Sequence, residues 1–268
     1  MRQLTLRDSN APSAKPLTCH HIWLFPVSLV ICQLAWAGLP AAPAAAPLRA
    51  VAQAAAPRAA GPSAAGDASH QTWRGAAYVD LAADWTRWLL SIPLGVNPIA
   101  EAETGINCAV DQNGPVWLLA APGGATDTRT CTCTMPSGKA LMMPVASYID
   151  DYPCPPAFGF QPPPDLSLED FLRADAMSIM DGTTGSATLD DRPLRLARVT
   201  TGVFPFTAAG SLSALGDACL ADLPQLAVMD ALPLFIDPPS PGAHTLRVSS
   251  TNPFFGTTTG TLTLIVKK

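Results

Sequence analysis

The chain has 268 residues, a formal net charge of −5 and seven cysteines, with 48% hydrophobic and only 14% charged residues. That length supports one well-buried domain, or one domain plus a tail. The acidic balance and the lack of any basic cluster argue against nucleic acid or an anionic membrane surface as partner.

The first element is an apolar run from Ile22 to Ala37, preceded by Arg2, Arg7, Lys15, His20 and His21. It is shorter than the roughly 20 residues a spanning helix needs. Small residues at Ala35 and Ala37 fit a signal-peptidase site, so residues 1–37 read as a signal peptide cleaved before Gly38. Removing Arg2, Arg7 and Lys15 on one side and Asp8 on the other leaves 13 basic and 20 acidic residues, or −7. The expected location is secreted or periplasmic, with no membrane span after cleavage. The alternative is an uncleaved Ile22–Leu39 anchor, which Pro26 disfavours. Lipidation at Cys32 is set aside because Ile31 is not the small residue a lipobox carries there.

Residues 38–72 are dominated by Ala and Pro, with scattered Gly, Arg and Ser, and read as a disordered tether. Residues 73–268 then read as a single domain. Val79–Ser91 is the first helix candidate, with Leu81, Trp85, Trp88 and Leu89 on one stripe and Pro93 ending it. Trp85 and Trp88 at that spacing read as core rather than as a sugar platform. Short strands follow at Pro115–Ala120, Arg129–Thr134 and Ala140–Ala146, with turn signals at Gly123-Gly124 and Pro136-Ser137-Gly138. Leu168–Met180 is the second helix, with Ser167 as cap and Asp170 as capping-box partner. Later strands are expected at Arg192–Phe206, Leu226–Ile236, His244–Ser250 and Thr258–Val266. Alternating Leu262, Leu264 and Val266 mark the clearest of them. The expected fold is therefore mainly β, an antiparallel β-sandwich of Ig-like or jelly-roll-like type with about two peripheral helices.

Cys19 and Cys32 fall within the signal peptide, leaving Cys108, Cys131, Cys133, Cys154 and Cys219. Outside the cytoplasm an odd set of five reads as two disulfides and one free thiol. Cys131 and Cys133 share a face of a strand and compete for one partner. The first pairing is Cys108 with Cys133 and Cys154 with Cys219. A zinc site is disfavoured because no histidine lies near and no knuckle spacing repeats.

Catalytic signals are sparse. His244 is the only histidine in the predicted domain, so any Ser-His-Asp or Cys-His mechanism must use it, and no G-x-S-x-G elbow accompanies it. Asp150-Asp151, Glu169-Asp170 and Asp190-Asp191 are adjacent carboxylates. A glycosidase needs two carboxyls converging across a cleft, whereas neighbours on a strand point to opposite faces. Asp181-Gly182-Thr183-Thr184-Gly185 reads as a turn, not a calcium loop, since one carboxylate stands alone. Trp117 reads as an inward-facing strand residue. No catalytic, cofactor or metal residue is assigned; Asp150, Asp151 and His244 remain as surface candidates.

Trp85-x-x-Trp88, Ser91-Ile92-Pro93, Asn97-Pro98, Thr104-Gly105-x-x-Cys108, Gln112-x-Gly114-Pro115-Val116-Trp117 and Cys133-Thr134-x-Pro136-x-Gly138-Lys139-Ala140-Leu141 follow in order. The series resembles a group of exported bacterial proteins of unassigned function, over roughly Ala82 to Val248. Members similar to this chain carry one Cys before the Thr-x-Pro-x-Gly-Lys segment, which implies that Cys131 is the odd thiol. The family's acidic-glycine turn and aromatic-rich later strand are degraded here, at Asp190-Asp191 and Met229-Asp230-Ala231-Leu232. The resemblance implies export and a β-rich fold and brings no activity with it. The leading expectation is a non-catalytic binding or envelope-associated module without cofactor, whose partner is a glycan or an envelope protein. The alternatives are a carboxylate-dependent extracellular hydrolase acting on glycans, and a membrane-anchored structural envelope protein.

Overall fold

A computed structural model describes residues 21–24, 27–30, 70–99, 105–121, 128–215, 217 and 219–268. The cleavage site at Ala35–Ala37, most of the tether and the turn at Gly123-Gly124 lie outside the described residues. Inside the leading apolar run, β1 (His21–Leu24) and β2 (Val27–Val30) pair as an antiparallel hairpin. Among the described residues no helix is long and apolar enough to cross a membrane.

The rest is mainly β. A small β3 (Thr72–Trp73) and β4 (Ala76–Ala77) hairpin leads into α1 (Tyr78–Ser91). The helix ends where Ile92 turns extended before Pro93. Buried Asn97 closes it, its Nδ2 donating to the carbonyls of Leu89 and Ile92 at 2.8 and 2.9 Å. Those two acceptors belong to the last turn, which has no partner within the helix. Next come β5 (Val116–Leu118), β6 (Thr128–Pro136) and β7 (Ala140–Tyr152). α2 (Leu168–Met180) starts at Ser167, whose Oγ accepts from the Asp170 amide at 3.1 Å. The expected reciprocal bond differs: the Asp170 carboxylate accepts the Ser167 hydroxyl at 2.6 Å.

The C-terminal half supplies β8 (Thr184–Leu189), β9 (Arg192–Leu194), β10 (Val199–Thr200), β11 (Phe204–Thr207), β12 (Pro224–Ile236), β13 (Gly242–Asn252) and β14 (Gly256–Lys267). One sheet runs β10-β12-β7-β5, with β11 also on β12. The other runs β6-β14-β13-β8-β9. Neither closes on itself. Leu141, Met143 and Leu234 of the first sheet share a buried cluster with Leu246, Leu262 and Leu264 of the second. α1 packs against the first sheet around Met142, Met229 and Ala231. α2 covers the far half of the same sheet through Leu172, Ala176 and Val228.

Three expectations need correcting. The sheets are mixed, not purely antiparallel: β5 runs parallel to β7, and β6 parallel to β14. The tight turn after Pro136 carries the chain from one sheet to the other, so β6 and β7 do not pair as a hairpin. The expected strand Arg192–Phe206 breaks into β9 in the second sheet and β10 and β11 in the first. The chain changes sheets between Leu194 and Val199, where Arg198 turns to an acid on β12. Lastly, the turn at Asp181–Gly185 is shorter than expected, because β8 begins at Thr184. Gly185 fits there because a Cβ would press on side chains of Leu196 and Leu232.

Both expected disulfides are present, Cys108–Cys133 and Cys154–Cys219, and Cys131 is free and buried. Burial pushes the Cys131 thiol up to about 11, which keeps it from forming the reactive thiolate. Disulfides of this kind belong to oxidising compartments. Cys108–Cys133 fastens the turn after Gly105 to β6. Gln112 fastens the same segment to β5, its Oε1 accepting from the Leu118 amide at 2.9 Å and its Nε2 donating to the Leu118 carbonyl at 2.7 Å. Gly105 has φ +71°, and a Cβ there would collide with the carbonyl of Thr132.

Candidate functional site

Asp150 and Asp151 lie on the far half of β7 and point to opposite faces, as a strand requires. Asp150 shares its face with Tyr148, under α2; it is 5% exposed. Its carboxyl is pushed up to about 9, first by burial and then by the facing Asp175 carboxylate of α2. At neutral pH it is therefore held as the neutral acid, facing Asp175. Its buried Oδ2 has no hydrogen-bond partner among the described residues. Asp151 is 6% exposed on the other face. Burial and Asp217 raise it to about 7, while the Gln225 amide, 2.8 Å away, holds it down. Asp217 is raised too, by burial, against the amides of Cys219 and Leu220. The two carboxyls do not converge on a cleft.

Asp230 lies on β12, between Arg198 and the core of the first sheet. It is fully buried, and Arg198 binds both of its oxygens, at 2.8–3.3 Å. Burial still raises its pKa despite the guanidinium.

His244, at the start of β13, sits 2.7 Å (Nδ1) from Asp190 Oδ2. Its Nε2 is 2.8 Å from the Ser240 carbonyl and 3.5 Å from the Ser240 hydroxyl. The residue types are those of a Ser-His-Asp triad, but the chemistry is not. Both ring nitrogens face acceptors, which favours the two-donor imidazolium and aims Nε2 at a carbonyl. In that form the ring offers no lone pair to the serine. The hydrogen bond to Asp190 is the larger cause of its raised pKa, that to Ser240 the next. Asp190 also accepts from the Thr245 amide at 2.8 Å. Asp190 and Asp191 both have positive φ, 49° and 62°, and form the tight β8–β9 turn.

A cleft lies elsewhere, at the middle of β7. β5 pairs with β7 only through Met142, beyond which the Leu119 amide donates to the Met142 carbonyl at 3.0 Å. Pro144, next in that row, has no amide to offer. Immediately afterwards β7 bulges: Ala231 pairs with Ser147 but Pro233 with Pro144, so two β7 residues oppose one on β12. The bulge and the end of β5 leave a cleft of about 80 Å³, walled by Trp85 and Ile99, floored by Val145 and Ser147, and bounded by Ser250 and Phe255. Trp85 is fixed by a bond from Nε1 to the Leu119 carbonyl at 2.8 Å.

Asn252 shapes the far wall. Its Nδ2 donates to the Ile179 carbonyl and to Thr183 Oγ1, and its Oδ1 accepts from the amides of Phe254 and Phe255. Phe255 stacks on Tyr148, centroids 6.3 Å apart, while Phe254 is 66% exposed beside it. None of the described lining residues is ionisable. Among the described residues no cluster of His, Cys, Asp or Glu is arranged to hold a metal. Sequence reasoning missed this site because its marker is a bulge opposite Leu232, and a bulge has no composition signal of its own.

Comparison with family models, curated proteins and solved structures finds no match.

Proposed function

We propose that this protein is an exported β-sandwich module that binds a neutral ligand of the cell envelope, glycan or protein, in the cleft at the β7 bulge. One observation carries the reading: the described lining of the cleft is aromatic, aliphatic, hydroxyl and amide, with no acid or base among those residues. Acid–base hydrolysis needs a titratable group within reach of the reacting atoms. Asp150 and Asp151, the natural candidates, are buried on opposite faces of β7 and reach no common space, which speaks against the hydrolase alternative. Export is supported by the N-terminal apolar run with its Ala35-Trp36-Ala37 ending, by the two disulfides, and by the resemblance to exported bacterial proteins. The shared core between the two sheets supports the sandwich.

The test is a binding screen of the purified full-length chain against arrayed envelope glycans and peptides, followed by thermal melting with each hit. A true ligand raises Tm, remains chemically intact after prolonged incubation, and loses affinity in Phe255→Ala. Turnover of a hit, abolished by Asp150→Asn, would establish the hydrolase instead.

A further inference from the structure

We infer that the cleft takes an extended peptide, added as a further strand on the open edge of β7; this rests on the reading of the cleft as a binding site. The backbone register carries the inference. Met229 of β12 turns its polar groups away from β7: its carbonyl accepts from the Thr201 amide and its amide donates to Thr201 Oγ1, both at 2.9 Å. Met229 pairs directly with Ile149. In an antiparallel ladder two opposite residues either exchange both hydrogen bonds or neither. The N–H and C=O of Ile149 therefore face the side that β5 has left. Two residues back, Ser147 opposite Ala231 faces the same way. No described residue bonds to the backbone of Ser147 or Ile149, and residues 146–149 are half-buried where 140–145 are buried.

A row of alternating donors and acceptors, spaced as a β-edge and without partners among the described residues, is matched by one ligand chemistry, the backbone of an extended chain. The edge begins where β5 stops, so an added strand continues its line. The uncharged cleft beside Ser147, between Trp85 and Phe255, then receives one apolar side chain of that strand. A glycan, with hydroxyls in no fixed alternation, does not reproduce this row.

The full-length chain is panned against phage-displayed random decapeptides, and the selected sequences are resynthesised with single N-methyl groups walked along the backbone. The expected result is a common apolar position and a two-residue alternation, each sensitive amide losing roughly fivefold to tenfold in affinity when methylated. Ser147→Pro removes a donor from the open edge without touching the β12 ladder, and is expected to weaken every selected peptide similarly. By hydrogen exchange, the Ser147 and Ile149 amides should exchange freely in the unliganded protein and slow in the complex. The inference is overturned if these amides are protected without ligand, if methylation is tolerated at every position, or if no peptide is selected. In those cases glycan or peptide binding that is lost in Phe255→Ala leaves the cleft standing as a binding site. Absence of any such binding removes both readings.

Discussion

Arg198 Nη2 lies 2.8 Å from Asp230 Oδ2, a fully buried carboxylate at the centre of the first sheet. Arg198 also donates to the Met177 carbonyl of α2, at 3.2 Å. One side chain thus joins the crossover between sheets, the middle of β12 and α2. Breaking a buried pair by removing one partner leaves an uncompensated charge, at a cost of about 3–5 kcal/mol. Arg198→Met is expected to destabilise by an amount near the lower end of that range, since Arg198 is partly exposed. Adding Asp230→Leu should recover most of the loss. Urea unfolding of the single and double variants measures both, and an unrecovered double variant would show that packing, not charge, holds the site.

Asp150 makes stability depend on pH in the sense opposite to an ordinary carboxylate. Its folded pKa is raised to about 9 from 3.8, so between those values the unfolded chain has released a proton that the native state retains. Stability therefore falls as pH rises through that window and levels off above it. Asp150→Asn keeps a donor toward Asp175 without a titrating proton. Relative to wild type, the variant should gain stability as pH rises from 4 to 8, by a few kcal/mol at most on the order of magnitude of a buried acid's shift. Thermal melts across that range check it; a constant difference between wild type and variant would contradict the assignment.

These two sites show what could be read from residue order alone. Both helices and most strands follow from periodicity and Pro and Gly punctuation, all of them local properties; the cysteine count calls for two disulfides but leaves Cys131 and Cys133 competing for one partner. Asp150 and Asp151 could be placed on opposite faces for the same reason. The partner across each face could not. Asp175 reaches Asp150 only because α2 lies over β7, and Arg198 reaches Asp230 only because the chain changes sheets there. The parallel pairings of β5 and β6 were hidden for a related reason: both partners are distant in sequence, and nothing in a strand's own pattern gives its neighbour's direction.

The His244–Asp190 pair should be worth little and titrate visibly. Hydrogen bonding to Asp190 raises the His244 pKa and lowers that of Asp190. Its stabilisation is fully present below the unfolded histidine value of 6.5, down to where Asp190 begins to protonate, and is lost as pH rises through the raised folded value. Asp190 is exposed, so screening holds the effect to about 1 kcal/mol or less. His244→Gln should therefore lower Tm slightly at pH 6 and hardly at all well above the folded value. An NMR titration giving a His244 pKa below 6.5 would refute the two-acceptor arrangement.

The two disulfides should differ in how much they stabilise. Cys154–Cys219 spans 65 residues and Cys108–Cys133 spans 25. In the chain-entropy model these loops stabilise by roughly 4 and 3.5 kcal/mol respectively. The shorter one also holds Gly105 against β6, where the backbone of Thr132 leaves no space for a Cβ. Paired Ala substitutions at 108 and 133 should therefore release the Gly105 turn as well as the loop, and cost more than the entropy alone. Cys131 supplies the internal check: buried and with its thiol held up near 11, it should resist alkylation in the native protein. Peptide mapping after native iodoacetamide treatment should find the Cys131 peptide unmodified, and modified once the chain is unfolded without reductant. Finding Cys131 bonded to Cys108 instead would reverse the pairing on β6 and move the free thiol to Cys133.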